Sequence, residues 1–147
     1  MPMNNSEKIL YLDAVHEIKN LKYRYFKACD NHNISQIEAC FCEGDIHIDF
    51  ENFGTFGTIK SMLKVYKDKS INDGQIESHY GKNPIINIYN DHADAQWGLS
   101  YSMMDLKKSL KVNIQGFYLD EYLKHQNVWK IKSTIFRRFS TSIQKLN

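Results

Sequence analysis

The stretch "GFYLDEYLKHQNVWKIKSTIFRRF", residues 116–139, decides the fold. Before Gln126 it alternates. Tyr118, Asp120 and Tyr122 fall on one side of an extended chain, and Phe117 and Leu119 on the other, which is strand period. After Asn127 it alternates again, with Trp129, Ile131, Ile135 and Arg137 sharing one parity. Two such runs broken by a two-residue polar turn make an antiparallel hairpin. Working backward, "IESHYGKNPIINIY" (76–89) ends at Asn90-Asp91-His92, and "ADAQWGLSYSMMDL" (93–106) ends at Lys107-Lys108-Ser109. The four runs form a meander. Pro84 cannot donate to a ladder, so it marks an edge or a bulge. Gly98 and Gly116 fall where strands curve.

The first half reads differently. Leu10, Ala14, Ile18, Leu21, Tyr25 and Ala28 step by three or four, the period of a helix, and Asn4 with Glu7 can close a capping box. Lys8, Glu17, Lys19, Lys22 and Arg24 are expected on the watered face, and the helix should end near Asp30. A short second helix follows, capped by Asn33 or Ser35, with Ile34, Ile37, Cys40 and Phe41 on its apolar side. "IHIDF" (46–50) alternates as a small strand, "NFGTFG" (52–57) bends, and Thr58 opens a third helix to about Lys69 through Ile59, Met62, Leu63 and Tyr66. The expected fold is α+β: one domain over residues 1–147, with a strongly curved antiparallel sheet wrapped around three N-terminal helices and a cone-shaped pocket between them.

Bulk properties narrow the function. A chain of 147 residues with 42% apolar and 24% charged residues can build one real core. The net charge of +2 and the scattered lysines give no nucleic-acid stripe. No apolar run approaches the ~20 residues of a membrane span. The N-terminus lacks a signal-peptide pattern, and three cysteines point to reduced thiols and a cytoplasmic setting. Cys40 and Cys42 lack zinc spacing. His47, Asp49 and His79 could be imagined as metal ligands on residue type alone, so no metal and no cofactor is expected.

Four stretches, "IKNLKYRYFKACDNHNISQIEACFCEGDIHIDF", "NFGTFGTI", "HYGKNPIINIYNDHADAQWGL" and "GFYLDEYLKHQNVWKIKSTIFRRF", together resemble the SnoaL-like families of the nuclear transport factor cone fold. Those families include polyketide cyclases, ring isomerases, scytalone dehydratase and bile-acid dehydratases, together with non-catalytic assembly subunits. The resemblance implies a Tyr and an Asp near the end of the first helix facing a His on the first long strand, which land on Tyr25, Asp30 and His79. It also implies an arginine on the last strand, Arg137 or Arg138. The sequence departs from the bile-acid type on the next long strand, where residues 97–101 carry no acid.

The chemistry of these residues is coherent. A carboxylate bonded to one imidazole nitrogen fixes the tautomer and leaves the other as a base. Asp30 at a helix C-terminus is electrostatically disfavoured, and His79 would offset that. Tyr25 could donate to a substrate oxygen. Strand parity makes Arg137 the inward arginine, able to bind an oxyanion. Trp97, Tyr101, Met103 and Tyr118 are expected to line a pocket for a flat, apolar or polycyclic ligand. The function expected is a cofactor-independent lyase or isomerase, dehydratase- or cyclase-like, acting on an apolar oxygenated ring. The alternative is a non-catalytic ligand-binding or assembly module. An apolar outer sheet face implies a homodimer or homotrimer.

Overall fold

The computed structural model describes residues 1–147. Helix α1 runs Asn5–Asp30, α2 Ile34–Ala39 and α3 Ile59–Lys69. Two short strands, β1 (His47–Asp49) and β2 (Thr55–Phe56), precede α3, and four long ones follow it: β3 (Gln75–Tyr89), β4 (His92–Asp105), β5 (Leu110–His125) and β6 (Val128–Lys145). The sheet order is β2-β1-β6-β5-β4-β3. The long strands form the antiparallel meander, while β1 lies parallel to β6 and makes the sheet mixed. The sheet curves around the helices, giving the α+β cone.

Local signals explain the boundaries. Asn4 and Glu7 close a reciprocal capping box on α1, with both bonds at 2.9 Å. Asn33 caps α2 and Thr58 caps α3. Gln126 and Asn127 both adopt positive φ, 50° and 63°, which is the mirror-image turn that matches strand twist. Pro84 sits on edge strand β3, at a register shift between Lys82 and Ile85.

The core lies between α1 and the concave face of the sheet, with Ile18, Leu21, Tyr25 and Phe26 packed over Trp97, Leu99, Tyr118 and Tyr122. Gly81 permits this approach, because a Cβ there would come within 2.8 Å of the Phe26 ring and 3.1 Å of Trp97. Gly81→Ala should therefore overpack the seam and cost about 1–3 kcal/mol, read from the urea midpoint. An unchanged midpoint would show that the seam yields freely.

Lys22 corrects the amphipathic reading of α1. It is fully buried, with Nζ 2.7 Å from Asp120 Oδ2 and 3.8 Å from the centre of the Tyr118 ring. Burial pulls its ammonium below the ordinary lysine value, against the pull of Asp120. Asp120 also accepts from Tyr122 Oη (2.6 Å) and Thr134 Oγ1 (2.7 Å), and Trp97 Nε1 donates to Tyr122 (3.1 Å). Lys22 lies one helical turn from Ile18 and Tyr25, so it belongs to the inward stripe once a carboxylate is there to meet it.

Candidate active site

Asp30 ends α1 and His79 lies on β3, and the fold brings them together. His79 Nδ1 is 2.6 Å from Asp30 Oδ1. The backbone N–H of His79 is shared between both carboxylate oxygens, at 3.0 and 3.1 Å. An ionised carboxylate can only accept, so Nδ1 carries the proton and Nε2 is left as the basic nitrogen. The imidazole stacks on Phe26 at 5.5 Å and meets Tyr101 edge-on at 4.8 Å. These rings limit its rotation and fix the direction in which Nε2 points.

His79 opens into a pocket of about 230 Å³ between the helices and the sheet. The walls are mainly aromatic and aliphatic, with Phe50, Phe53, Tyr66, Leu99, Tyr118 and Phe136 among them. Its volume lies below the roughly 300–1,000 Å³ of drug-sized sites, which suits a one- or two-ring molecule. Tyr25 also lines it and is only 4% exposed. Burial pushes the Tyr25 phenol well up, so it is a hydrogen-bond donor and not a phenolate. A wider groove beside α2 and the β5–β6 turn, lined by Lys124, Lys130, Lys132, Glu38 and Glu43, lies away from the His79–Asp30 pair.

Of the expected lining residues, Tyr101 and Tyr118 face the pocket. Trp97 and Met103 do not line it. Trp97 shares their face of the sheet but lies under α1, edge-on to Tyr23 at 5.8 Å and bonded to Tyr122. Met103 is two residues past Tyr101 toward the β4–β5 turn, and the β4 lining consists of Leu99 and Tyr101. Arg137 is corrected too. The β5–β6 register slips at Lys132, whose Nζ donates to the Asp45 carbonyl, so inward parity passes from Trp129 and Ile131 to Thr134 and Phe136. Arg138 consequently lines the pocket, with Nε 3.0 Å from Glu51 Oε2. Arg137 instead pairs with Asp49 at 2.6 Å, which holds that carboxyl below its usual range.

Glu77 was not anticipated, nor was its partner His32. Glu77 lines the pocket two residues from His79 on the same face of β3. Its Oε1 is 2.7 Å from His32 Nε2, and its Oε2 accepts from Tyr101 Oη at 2.7 Å. The i, i+2 spacing to His79 was the available signal. No group of three or more His, Cys, Asp or Glu side chains is placed to hold a metal ion.

The SnoaL-like domain profile matches residues 11–135, and the chain belongs to that family. No curated protein sequence matches it. Solved structures share the fold. A type-2 hexachlorocyclohexane dehydrochlorinase, LinA, is 15% identical with a TM-score of 0.84, and 93% of each chain is covered. The LinA-type3 enzyme of Novosphingobium barchaimii is 16% identical with a TM-score of 0.82, covering 93% of this chain and 94% of its own. A protein of Novosphingobium aromaticivorans, assigned as a scytalone dehydratase, is 16% identical with a TM-score of 0.81, covering 93% and 91%. At these identities the neighbours show that the chain shares their fold.

Proposed function

We propose that the protein is a cofactor-independent, acid-base lyase or isomerase acting on a small, oxygenated, one- or two-ring compound. The 2.6 Å contact between His79 Nδ1 and Asp30 Oδ1, inside an aromatic pocket, carries this reading. His79 Nε2 removes a proton from carbon. Asp30 stabilises the imidazolium that results. Tyr25 donates to the oxygen on which charge develops, and Arg138 at the rim takes the oxyanion-binding role first given to Arg137. Trp97 and Met103 have no direct role in this scheme. The dehydrochlorinase and dehydratase names of the structural neighbours support elimination as the reaction type. A storage or assembly module would need no carboxylate-oriented base facing a largely apolar pocket.

Nitrobenzisoxazole tests this without a known substrate. It is a flat bicyclic ring that opens to a coloured cyanophenolate when a base removes its ring C–H. The wild type should open it saturably, with naphthol competing. A rate no greater than that of buffer would overturn the reading.

Assembly is also proposed. Ile76, Tyr80, Ile85 and Tyr89 on edge strand β3, with Phe139 on β6, are each more than 50% exposed on the outer face. That surface suits a homodimer or homotrimer. Light scattering at micromolar concentration should give a mass two or three times that of the chain, and a monomer would contradict it.

A further inference from the structure

We propose that Tyr101, Glu77 and His32 form a second acid-base station, which protonates the group leaving the substrate while His79 takes the proton from carbon. The proposal rests on the role given to His79 above and extends it to the other half of an elimination.

The three residues form a continuous chain from the pocket to its rim. Tyr101 Oη donates to Glu77 Oε2 at 2.7 Å, and Glu77 Oε1 accepts from His32 Nε2 at 2.7 Å. Exposure rises outward along it, from 11% for the Glu77 side chain to 21% for His32. The inner end lies beside the base. Tyr101 on β4 is the ladder partner of His79, with ring centres 4.8 Å apart. A substrate reaching His79 Nε2 therefore meets the Tyr101 hydroxyl on the same wall.

The backbone of His32 supplies an independent observation. The N–H of His32 bonds to the Cys29 carbonyl and that of Asn33 to the Ala28 carbonyl, the reciprocal pair that terminates many helices. His32 occupies the left-handed position of that motif, at φ 54°. Glycine takes this conformation without strain. The chain instead carries an imidazole there, in contact with a pocket carboxylate.

Burial and the Glu77 carboxylate push the Tyr101 phenol up, which makes it a poor acid while Glu77 is charged. A protonated His32 relieves this. As the leaving bond breaks, its oxygen takes the electron pair and then the Tyr101 proton. The imidazolium proton of His32 moves to Glu77, so the new phenolate stands beside a neutral carboxyl and not beside an anion. When that carboxyl turns, it returns a proton to Tyr101, and water reprotonates His32. His79 releases the carbon-derived proton to solvent. No other reactant is consumed. The groups facing His32 are Glu77 from β3 and Tyr66 from α3, whose ring centre is 6.4 Å away.

The experiment compares nitrobenzisoxazole, whose phenoxide leaves unaided, with unsubstituted benzisoxazole, whose more basic phenoxide needs a proton. Glu77→Gln and His32→Gly should each slow the unsubstituted compound far more, lowering the ratio of the two rates by about 10²-fold. His32→Gly should also melt at or above the wild-type temperature, because it relieves the left-handed residue. Equal slowing of both compounds, no slowing of either, or a wild type that opens only the nitro compound would overturn the station. So would a marked loss of melting temperature in His32→Gly. His79→Ala separates the two claims. If it leaves both rates unchanged, the base assignment fails. If it abolishes both while the ratio in Glu77→Gln stays at the wild-type value, only the second station fails.

Discussion

Asp30→Asn should slow the opening of nitrobenzisoxazole by about 10²–10⁴-fold, as far as His79→Ala does. The carboxylate presents one oxygen to His79 Nδ1 and both to the His79 backbone N–H. An asparagine has a single acceptor, and the backbone N–H claims it. Its amide NH₂ then faces Nδ1 and donates to it. The imidazole proton moves to Nε2, and the nitrogen facing the substrate ceases to be a base. The imidazolium formed in the reaction also loses its counter-charge. Because the two residues act as one unit, the double variant should be little worse than either single one. Steady-state rates on purified, fold-checked variants decide it. An asparagine variant within twofold of wild type would break the link between the pair and the chemistry.

The second large effect concerns stability. Asp120→Ala should cost about 3–5 kcal/mol, because it strands a fully buried ammonium. Lys22 and Asp120 both have side chains with no exposed surface. Beyond this ion pair Lys22 has no hydrogen-bond acceptor and looks onto the Tyr118 ring. Removing the carboxylate also unpairs Tyr122 and Thr134. Against a typical net stability of about 5–15 kcal/mol, the loss is a large fraction of the whole. Replacing both ions, as Lys22→Met with Asp120→Leu, should recover much of it, since no charge then remains buried. Urea unfolding of the single and double variants measures both numbers. A single variant costing under about 1 kcal/mol would mean that water reaches Lys22 in the folded protein.

The fold was legible where the decisive signals are local. Asn4 with Glu7, Thr58 and the Gln126-Asn127 turn each act within a few residues and mark a boundary in the structure, and Pro84 marks the register shift inside β3. The pairing of Asp30 with His79 spans 49 positions. Its signals in the sequence are the family resemblance and the electrostatic cost of an acid at a helix C-terminus. Side-chain direction on β6 was not legible. The slip at Lys132 depends on how β6 meets β5, and one extra residue reverses the side chains that follow, up to a second slip at Phe139, which is why Arg138 and not Arg137 faces the pocket. Lys22 was misplaced for a related reason. A lysine on a helix reads as solvated until a buried carboxylate nearly a hundred residues away is known to meet it. Glu77 carried a readable signal in its spacing from His79, but its partner His32 lies in a turn whose backbone only the folded helix end defines.

The central claim is that His79 holds its proton on Nδ1, against Asp30, and offers a bare Nε2 to the pocket. Heteronuclear NMR of the imidazole nitrogens reads this directly at mildly alkaline pH. The His79 signals should show a protonated Nδ1 and an unprotonated Nε2, the Nε2 resonance should move when naphthol fills the pocket, and Asp30→Asn should exchange the two. A proton on Nε2 in the wild type, or an Nε2 resonance indifferent to the pocket's occupant, would contradict it.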